Sequence, residues 1–458
     1  MCGIFGIYPH KESAKITYLG LYALQHRGEE AAGIVTRNGK KVHIHKSLGL
    51  VSDVFNEKIL ADLRGEMSIG HTRYSTTGSS NVKNTQPFYV KSHLGDIAVA
   101  HNGNLTNAHA LRRDLENKGA LFQTSMDSEI FVHLLAHSQK KGYQEAIVDS
   151  LGKLEGAYSV ILMVNDILVG ARDTYGFRPL CLGRFEEAYI LASETSALDL
   201  IGAQYIRDIE PGEIVFIHRD KIDSIKPFKP TPNAFCIFEY IYFSRPDSFV
   251  FGHNVYAIRK KLGEALAKEY PQTADLVTPI PDSGTYAALG FSKASQVPYE
   301  MALIRNHYIG RTFIQPTQLL RDFRVKVKLN PVKDVLKDKK VIVVEDSIVR
   351  GTTSRARVKT LRQAGAKEII MRVSCPPLKH PCFYGIDFPT QKELIAAKHD
   401  LNWIKEFIGV EDLGYLSLKG MLDSMPDCCK GKFCSACFTG EYPVKPPKKI
   451  SKTILEKN

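Results

Sequence analysis

The 458-residue chain lacks an apolar run long enough to cross a membrane. Its best candidate, Val160 to Val164, is ended by Asn165 and Asp166, whereas a membrane-spanning helix needs about 20 consecutive apolar residues. The opening residues (MCGIFGIYPHKE) also lack a basic leader and a long apolar region, so we expect no secretory signal. These absences predict a cytoplasmic protein without a membrane partner.

Cysteine is scarce, with nine residues in the chain. Because no export signal is expected, catalytic or metal-binding roles for these cysteines gain weight over structural disulfides. Charge is unbalanced, with a formal net value of +12. Such an excess suits anionic ligands, either phosphates or nucleic acid, although it can also serve only solubility. The basic end of the chain predicts a mobile, solvated tail.

A proline-rich stretch, Lys226 to Asn233 (KPFKPTPN), is typical of a linker. Before it, short apolar runs such as Tyr158 to Val164 alternate with turn residues and predict strands. After it, an apolar run at Val341 to Val344, helical spacing over Ser354 to Ala364 and a second run at Ile369 to Val373 predict a strand, a helix and a parallel strand. We therefore expect two domains and a tail, at residues 2–230, 231–440 and 441–458.

Cys2 follows the initiator methionine. If that methionine is removed, Cys2 carries a thiol and a free α-amine, and the amine, with a pKa of about 8, can accept the thiol proton. Amide hydrolysis also needs an oxyanion hole, for which the Asn102 side chain and the Gly103 N–H are suitable donors. Arg73 and Asp127 are suited to bind the α-carboxylate and α-amine of glutamine.

Five ordered motifs contain these residues: CGIFGI, HRG, GHTRYST, AHNGNL and DSE. With them, the first half closely resembles the class-II glutamine amidotransferase domain, an N-terminal-nucleophile hydrolase fold of α-β-β-α layers. The resemblance implies that Cys2 attacks the γ-amide of glutamine. The further site residues that it implies are Asn102, Gly103, Arg73, Asp127, Arg27 and Thr76. The alternative makes HNGN a hairpin turn and Arg73 a surface charge.

An acidic pair, Glu345 and Asp346, follows the strand predicted at Val341 to Val344 and precedes a loop and a helix. Backbone N–H groups and hydroxyls at the start of that helix are suited to bind a phosphate. The carboxylates are suited to contact ribose hydroxyls and Mg²⁺, which prefers oxygen ligands. The alternative is an ordinary turn with a solvated acid pair. The candidate phosphate-binding residues are Ser347, Arg350, Gly351, Thr352 and Thr353.

This segment resembles the type I phosphoribosyltransferase signature, although Glu345 stands where the closest family normally has Asp. Pro281 to Thr285 resembles the family's pyrophosphate loop, which implies that Ser283 lies near the metal. The basic stretch that follows resembles the flexible loop that closes over phosphoribosyl pyrophosphate. This last resemblance implies contacts from Arg311, Lys326 and Lys328.

One C-x-x-C pair and two distant cysteines form a further set: Cys236, Cys382, Cys434 and Cys437. Such a set can hold an iron–sulfur cluster or zinc, and its spacing alone slightly favours a tetrahedral zinc site. Its sequence contexts resemble the iron–sulfur branch of the amidophosphoribosyltransferases, which implies a structural 4Fe-4S cluster. Cys428 and Cys429 lie close by in sequence. Four reduced thiols without a metal are the remaining alternative.

Both halves together resemble the amidophosphoribosyltransferases. The resemblance implies one coupled reaction, in which glutamine, phosphoribosyl pyrophosphate and water give 5-phosphoribosylamine, pyrophosphate and glutamate, the first committed step of purine biosynthesis. It implies Mg²⁺ and a 4Fe-4S cluster in each subunit, purine nucleotides as feedback inhibitors, a homotetramer and no nucleic-acid partner. Two other classes stay open: a nucleotide-sensing regulatory protein with a phosphoribosyl fold, and a divergent glutamine amidotransferase with another acceptor.

Overall fold

Two antiparallel sheets face each other in the first half of the chain. The computed structural model describes residues 1–75, 78–306, 329–388, 390–446 and 455–456. The first sheet has the strand order β11 (Gln204–Asp208), β9 (Cys181–Phe185), β10 (Ala188–Ala192), β1 (Gly3–Tyr8), β4 (Met67–Arg73), β2 (Ala31–Asn38) and β3 (Lys41–Leu48). The second has the order β13 (Ile222–Ile225), β12 (Ile214–Ile217), β8 (Ile167–Arg172), β7 (Gly156–Val164), β6 (Gly95–Leu105) and β5 (Phe88–Ser92).

Helices cover the outer faces of these sheets. Helix α1 (Ser13–Ala23) packs on β1 and β4, and α5 (Glu129–Ala136) packs on β6. An apolar core between the sheets includes Ile4 and Ile161, one from each sheet. Because β7 is buried along its whole length, apolar residues occupy both of its faces, with Ser159 as a polar exception. The other helices of this half are α2 (Val51–Val54), α3 (Glu57–Asp62), α4 (Ala108–Asn117), α6 (Tyr143–Leu151) and α7 (Ser196–Leu200). The predicted α-β-β-α sandwich is confirmed.

A four-stranded parallel sheet organises the second half. Its strand order is β17 (Leu276–Pro279), β20 (Lys340–Glu345), β21 (Glu368–Val373) and β22 (Asp412–Tyr415). Helix α11 (Thr352–Gln363) connects β20 to β21, as the sequence predicts, and Gly365 follows its end with φ of +104°. The other helices are α8 (Val255–Glu269), α9 (Thr285–Ser295), α10 (Lys333–Leu336), α12 (Ile395–Lys398), α13 (Leu401–Ile408), α14 (Leu418–Asp423) and α15 (Ala436–Thr439). This is the predicted phosphoribosyltransferase fold.

Three short sheets complete the second half. Strand β14 (Phe235–Cys236) pairs in parallel with β23 (Phe433–Cys434), so that Cys236 lies beside Cys434. Strand β15 (Phe249–Val250) pairs with β16 (His253–Asn254), and β18 (Leu303–Arg305) pairs with β19 (Leu329–Pro331). The predicted linker at 226–233 contains neither helix nor strand and leads from β13 to β14.

Parts of the C-terminal tail pack against the domains. Leu455 is only 5% exposed and joins the core beneath the second sheet. Glu456 accepts hydrogen bonds from Ser79 N at 2.5 Å and from Ser125 Oγ at 3.1 Å. The prediction of a solvated tail is wrong at Leu455, because an apolar side chain gains free energy on burial even next to a lysine-rich segment, whereas Glu456 is exposed. In the described ranges, no helix is long and apolar enough to span a membrane.

Candidate functional site

Cys2 lies at the start of β1, a central strand of the first sheet. Its backbone N–H donates to Asn102 Oδ1 at 3.2 Å, and its Sγ donates to Tyr74 O at 3.5 Å. Burial raises the pKa of the Cys2 thiol. The thiol is therefore protonated at neutral pH and needs a nearby base to become a nucleophile.

The HNGN segment belongs to strand β6, so the alternative of a hairpin turn is wrong. Asn102 is 1% exposed, and its Nδ2 has no hydrogen-bond partner among the described residues. At Gly103, an added Cβ would lie 2.0 Å from Ala157 O, so no larger residue fits against β7. Because Asn102 Oδ1 is anchored on Cys2 N, the amide presents a donor beside the thiol.

Arg73 and Asp127 are buried near this site, at 3% and 6% exposure. Arg73 Nη1 donates to Ser79 O at 3.0 Å, while Asp127 Oδ2 accepts from Leu105 N at 2.9 Å. The alternative of a surface role for Arg73 is therefore wrong. A buried cation and a buried anion near one thiol suit the two charged ends of an amino acid. Thr76 lies outside the described residues.

The loop after β4 is held by Glu30, which the sequence analysis did not single out. Glu30 accepts from Ser75 N at 3.1 Å, from Ser75 Oγ at 2.9 Å and from Ser80 Oγ at 2.7 Å. Burial opposes the ionised form, but the hydrogen bonds from Ser80 and Ser75 prevail and lower the pKa of this carboxyl. Glu30 thus shapes the segment that contains Tyr74, the acceptor of the Cys2 thiol.

Arg27 is placed differently from the other predicted substrate-binding residues. Its side chain is fully buried, and Nε donates to Cys2 O at 3.1 Å. Its Nη atoms pair with Glu194 and, at 2.9 Å, with Glu239 from the second half of the chain. Since these partners engage the guanidinium, Arg27 positions the Cys2 backbone rather than presenting its charge to a ligand. No sequence motif pointed to Glu239, which lies 212 residues from Arg27 along the chain.

A second candidate site lies at the carboxyl ends of β17 and β20, where parallel sheets usually bind ligands. Ser283 Oγ donates to one oxygen of Asp346, and Ser347 Oγ donates to the other at 2.6 Å. Burial raises the pKa of Asp346, although both hydroxyls favour its ionised form. A buried acid with two hydroxyls offers oxygen ligands of the kind that Mg²⁺ prefers.

Glu345 was expected to be available for Mg²⁺ or the ribose, but its carboxylate is already paired with an arginine. Its two carboxylate oxygens accept from Arg357 Nη1 at 2.9 and 3.0 Å. Burial raises the pKa of Glu345 to about 8, with Arg357 acting in the opposite direction and Asp346 in the same one. No short sequence motif pointed to Arg357, which α11 places one turn beyond Thr353.

The candidate phosphate-binding residues, Ser347 to Thr353, lie between the end of β20 and the first turn of α11, as predicted. We call this segment the phosphate loop. Gly351 has φ of +73°, and an added Cβ would lie 2.7 Å from Ile395 Cδ1, so glycine suits this turn. Thr352 and Thr353 form the exposed first turn of α11. The Arg350 guanidinium is largely exposed and pairs with Glu393. The predicted contacts Arg311, Lys326 and Lys328 lie outside the described residues.

The four predicted metal-binding cysteines line one pocket: Cys236, Cys382, Cys434 and Cys437. All four are described, yet no three of their sulfurs lie within 4.8 Å of one another. In a tetrahedral zinc site, Zn–S bonds of about 2.3 Å hold the sulfurs about 3.8 Å apart. The sulfurs therefore stand farther apart here than in a closed tetrahedral zinc site, and the choice between zinc and an iron–sulfur cluster stays a prediction.

The cysteine cavity adjoins the glutaminase-like site. Asn104, two residues after Asn102, donates from Nδ2 to Phe383 O at 3.0 Å. Arg178 Nε donates to Tyr384 O at 2.9 Å, and its Nη1 lies 3.5 Å from Glu239 Oε1. The segment after Cys382 thus contacts the strand that carries the candidate oxyanion hole.

Comparisons with known proteins agree with these two sites. Residues 71–200 match the model of the glutamine amidotransferase domain. The chain is 49% identical to an amidophosphoribosyltransferase of Methanocaldococcus jannaschii over 97% of this chain and 98% of the relative. It is 50% identical to one of Synechocystis sp., over 99% and 94% respectively. A B. subtilis glutamine phosphoribosylpyrophosphate amidotransferase complexed with ADP and GMP superposes with a TM-score of 0.93 at 45% identity, covering 99% of both chains.

The fold and its two sites define a glutamine amidotransferase joined to a phosphoribosyltransferase. The chain belongs to the amidophosphoribosyltransferase family, glycosyltransferase-type enzymes of purine biosynthesis that use glutamine and phosphoribosyl pyrophosphate.

Proposed function

We propose that Cys2, freed of Met1, is the nucleophile that releases ammonia from glutamine. The observation that carries this proposal is the buried, unpartnered Asn102 Nδ2 beside the anchored Cys2 N, within the part of the chain described. In the tetrahedral intermediate, Asn102 Nδ2 and Gly103 N–H donate to the oxyanion. The free amine of Cys2 accepts the thiol proton and returns it to the departing ammonia.

Removal of Met1 is a requirement of this mechanism. In the full chain Met1 is 1% exposed, and burial lowers the pKa of its amine to about 5. An amine with so low a pKa is a weak base. We therefore propose that Met1 is removed before this part of the core is packed. Its removal leaves Cys2 with a free α-amine beside its own sulfur.

We propose that Arg73 and Asp127 bind the amino-acid end of glutamine. Arg73 is suited to the α-carboxylate and Asp127 to the α-amine, because each is a buried charge opposite in sign to the group it would bind. Thr76 is proposed as a neighbour of the same pocket, and Arg27 as a positioning residue for Cys2.

At the second site we propose that Asp346 and Ser283 hold Mg²⁺ with phosphoribosyl pyrophosphate. When bound, the metal ion stabilises the negative charge of the departing pyrophosphate. Ser347, Gly351, Thr352 and Thr353 bind the 5-phosphate at the start of α11. Glu345 reaches the ribose or the metal only after releasing Arg357, so its role depends on that exchange.

Cationic side chains complete the proposed second site. Arg350 pairs with Glu393 in the free chain and is proposed to turn toward phosphate. Arg311, Lys326 and Lys328 are proposed to bind the pyrophosphate and to exclude water when the loop closes. Ammonia released at Cys2 then reaches the ribose before water can protonate it.

We propose that the four-cysteine cavity holds a 4Fe-4S cluster, which fixes the position of the two domains relative to each other. The wide separation of the sulfurs and the position of Arg178 beside the cavity support this assignment, because a cationic side chain suits a negatively charged cluster. The cluster's proposed role is structural: its ligand Cys382 precedes the segment that contacts strand β6.

Regulation, assembly and domain division follow from the same family resemblance. We propose purine nucleotides as feedback inhibitors, since the similar B. subtilis enzyme was solved with ADP and GMP. A cytoplasmic homotetramer without a nucleic-acid partner is the proposed working form. The proposed division of the chain is a glutaminase domain at 2–230, a phosphoribosyltransferase domain at 231–440 and a tail at 441–458.

The test is pyrophosphate release by wild type and Cys2→Ala, measured with glutamine and with ammonium salt as nitrogen source. We expect Cys2→Ala to lose glutamine-dependent release and keep ammonia-dependent release, because only the first step needs the thiol. The matched control is Cys181→Ala, which removes a buried thiol in β9 outside the site. Loss of both activities in Cys2→Ala, with the control active, contradicts the two-site mechanism.

A further inference from the structure

Three metal-binding side chains meet at a place that the proposed mechanism does not use. His253 Nε2 lies 3.0 Å from Cys428 Sγ, and Cys428 Sγ lies 3.4 Å from Cys429 Sγ. All three ligand atoms lie within 4.8 Å of one another. They come from segments 175 residues apart, so only the tertiary fold assembles them.

The fold buries Cys429, leaves His253 half-buried and leaves Cys428 open to solvent. Cys429 is 7% exposed, and its Sγ donates to Phe251 O at 3.7 Å. Phe251 is the turn residue between β15 and β16, and its ring stacks on Phe235 at 4.6 Å. His253 follows in β16, whereas Cys428 is exposed and provides a route for an ion to enter.

The spacing of the three ligand atoms suits a single small, soft cation. Zinc bonds of about 2.3 Å to sulfur and about 2.0 Å to nitrogen place tetrahedral ligands about 3.5–3.8 Å apart. The observed separations of 3.0 and 3.4 Å are shorter than these values by about half an ångström or less, and the third pair of ligand atoms lies within 4.8 Å. Among the described residues, this is the group of three ligand atoms that all lie within 4.8 Å of one another, and no three of the cavity cysteines do.

We propose that His253, Cys428 and Cys429 form a second metal site, which binds one Zn²⁺ with an exchangeable water as fourth ligand. Both thiols lose their protons to solvent on binding, and His253 coordinates through its neutral Nε2.

Zinc at this position ties the C-terminal segment to the start of the second domain. The short 3-10 helix Asp427–Cys429 lies four residues before β23, which carries Cys434. On the other side, His253 leads directly into α8, whose residue Arg259 lies near Asp346. A bound ion therefore connects the segment holding a ligand of the four-cysteine cavity to a helix of the phosphoribosyl site.

The test measures zinc and iron per chain in full-length protein, purified without air, incubated with Zn²⁺ and a reductant, and then desalted. We expect about one zinc per chain in wild type and reduced zinc in Cys428→Ser and in His253→Asn. Since loss of an outer-shell partner already costs about 10–100-fold in metal affinity, loss of a direct ligand is expected to weaken zinc binding at least about 100-fold. Iron content should stay unchanged in both variants.

The matched control is His93→Asn, which changes an exposed histidine in the turn between β5 and β6. It should keep the wild-type zinc content. Both site variants change accessible residues, so unaltered melting in the absence of zinc checks that they fold. As a second measurement, Co²⁺ should produce a thiolate-to-metal absorption band in the difference spectrum of wild type minus Cys428→Ser. Equal zinc content in wild type and Cys428→Ser, or no such band, overturns the proposal.

Discussion

At the residue scale, the two proposed catalytic sites differ in how their polar groups are satisfied. In the described chain, Asn102 keeps a buried Nδ2 without a partner, whereas Glu345 is engaged by Arg357 through both oxygens. A buried polar group without a partner costs roughly 1–3 kcal/mol, which a ligand recovers by supplying the missing acceptor. A group that is already paired must first exchange its partner.

Glu345 should make the stability of the second domain dependent on pH. Burial raises the pKa of Glu345 from 4.5 to about 8, so folding disfavours the ionised form. Its contribution to the free energy of unfolding is complete below about pH 4.5 and is lost as pH rises through about 8. Glu345→Gln removes this titration, so we expect wild type to lose stability relative to the variant between pH 5 and pH 8.

Chemical denaturation at several pH values measures this difference. Glu368→Gln, which changes a partly exposed glutamate at the start of β21, is the matched control and should follow wild type. If the free energy of unfolding depends on pH in the same way in wild type and in Glu345→Gln, the raised pKa of Glu345 is contradicted.

At the element scale, strand ends and helix starts deliver the reactive side chains. The sequence predicted β20, α11 and β21 to within about two residues, because buried apolar runs and a closing glycine are local signals. For β6 the sequence left a hairpin turn open at HNGN, whereas the strand runs through this segment to Leu105. Its polar end resembles a turn in isolation, and only pairing with β7 keeps Asn102 to Asn104 extended.

The turn into α11 gives a prediction at this scale. Gly351→Ala places a side chain at φ of +73° and 2.7 Å from Ile395 Cδ1. We expect a loss of about 1–3 kcal/mol in stability and a higher KM for phosphoribosyl pyrophosphate, with glutamine hydrolysis retained. Steady-state kinetics of the two half-reactions measure the effect. Gly142→Ala, where the new methyl meets open space, is the control and should leave both unchanged. An unaltered KM in Gly351→Ala contradicts the proposed phosphate loop.

At the scale of the whole molecule, a buried charge network joins the two halves. Arg27 contacts Cys2 O in the first half and Glu239 in the second, while Glu194 accepts from Arg27 and from Arg245 N. The cost of burying these charges is offset only while the carboxylates and the guanidinium remain together.

Arg27→Met should therefore affect both halves. It leaves Glu194 and Glu239 buried without their main cation, and breaking a buried pair costs about 3–5 kcal/mol. We expect a lower temperature of inactivation for glutamine-dependent and ammonia-dependent activity alike. Lys118→Met, which breaks an exposed pair with Asp114 on α4, should cost no more than about 0.5 kcal/mol. If heating inactivates only the glutamine-dependent reaction of Arg27→Met, the network does not join the halves.

Apolar runs and helix ends predicted strands of the first half and the β20–α11–β21 unit of the parallel sheet, whereas the family resemblance of short motifs implied the sandwich and pointed to Cys2, Asn102, Asp127 and the acidic pair. Those features depend on residues close together in the chain: apolar runs, helix ends and short motifs. Only the tertiary structure showed that Arg27 pairs with Glu239, that Glu345 pairs with Arg357 and that His253 lies beside Cys428. Such pairings depend on distances between segments far apart in sequence, and burial then sets which charge or thiol is stable there, so no local pattern encodes them.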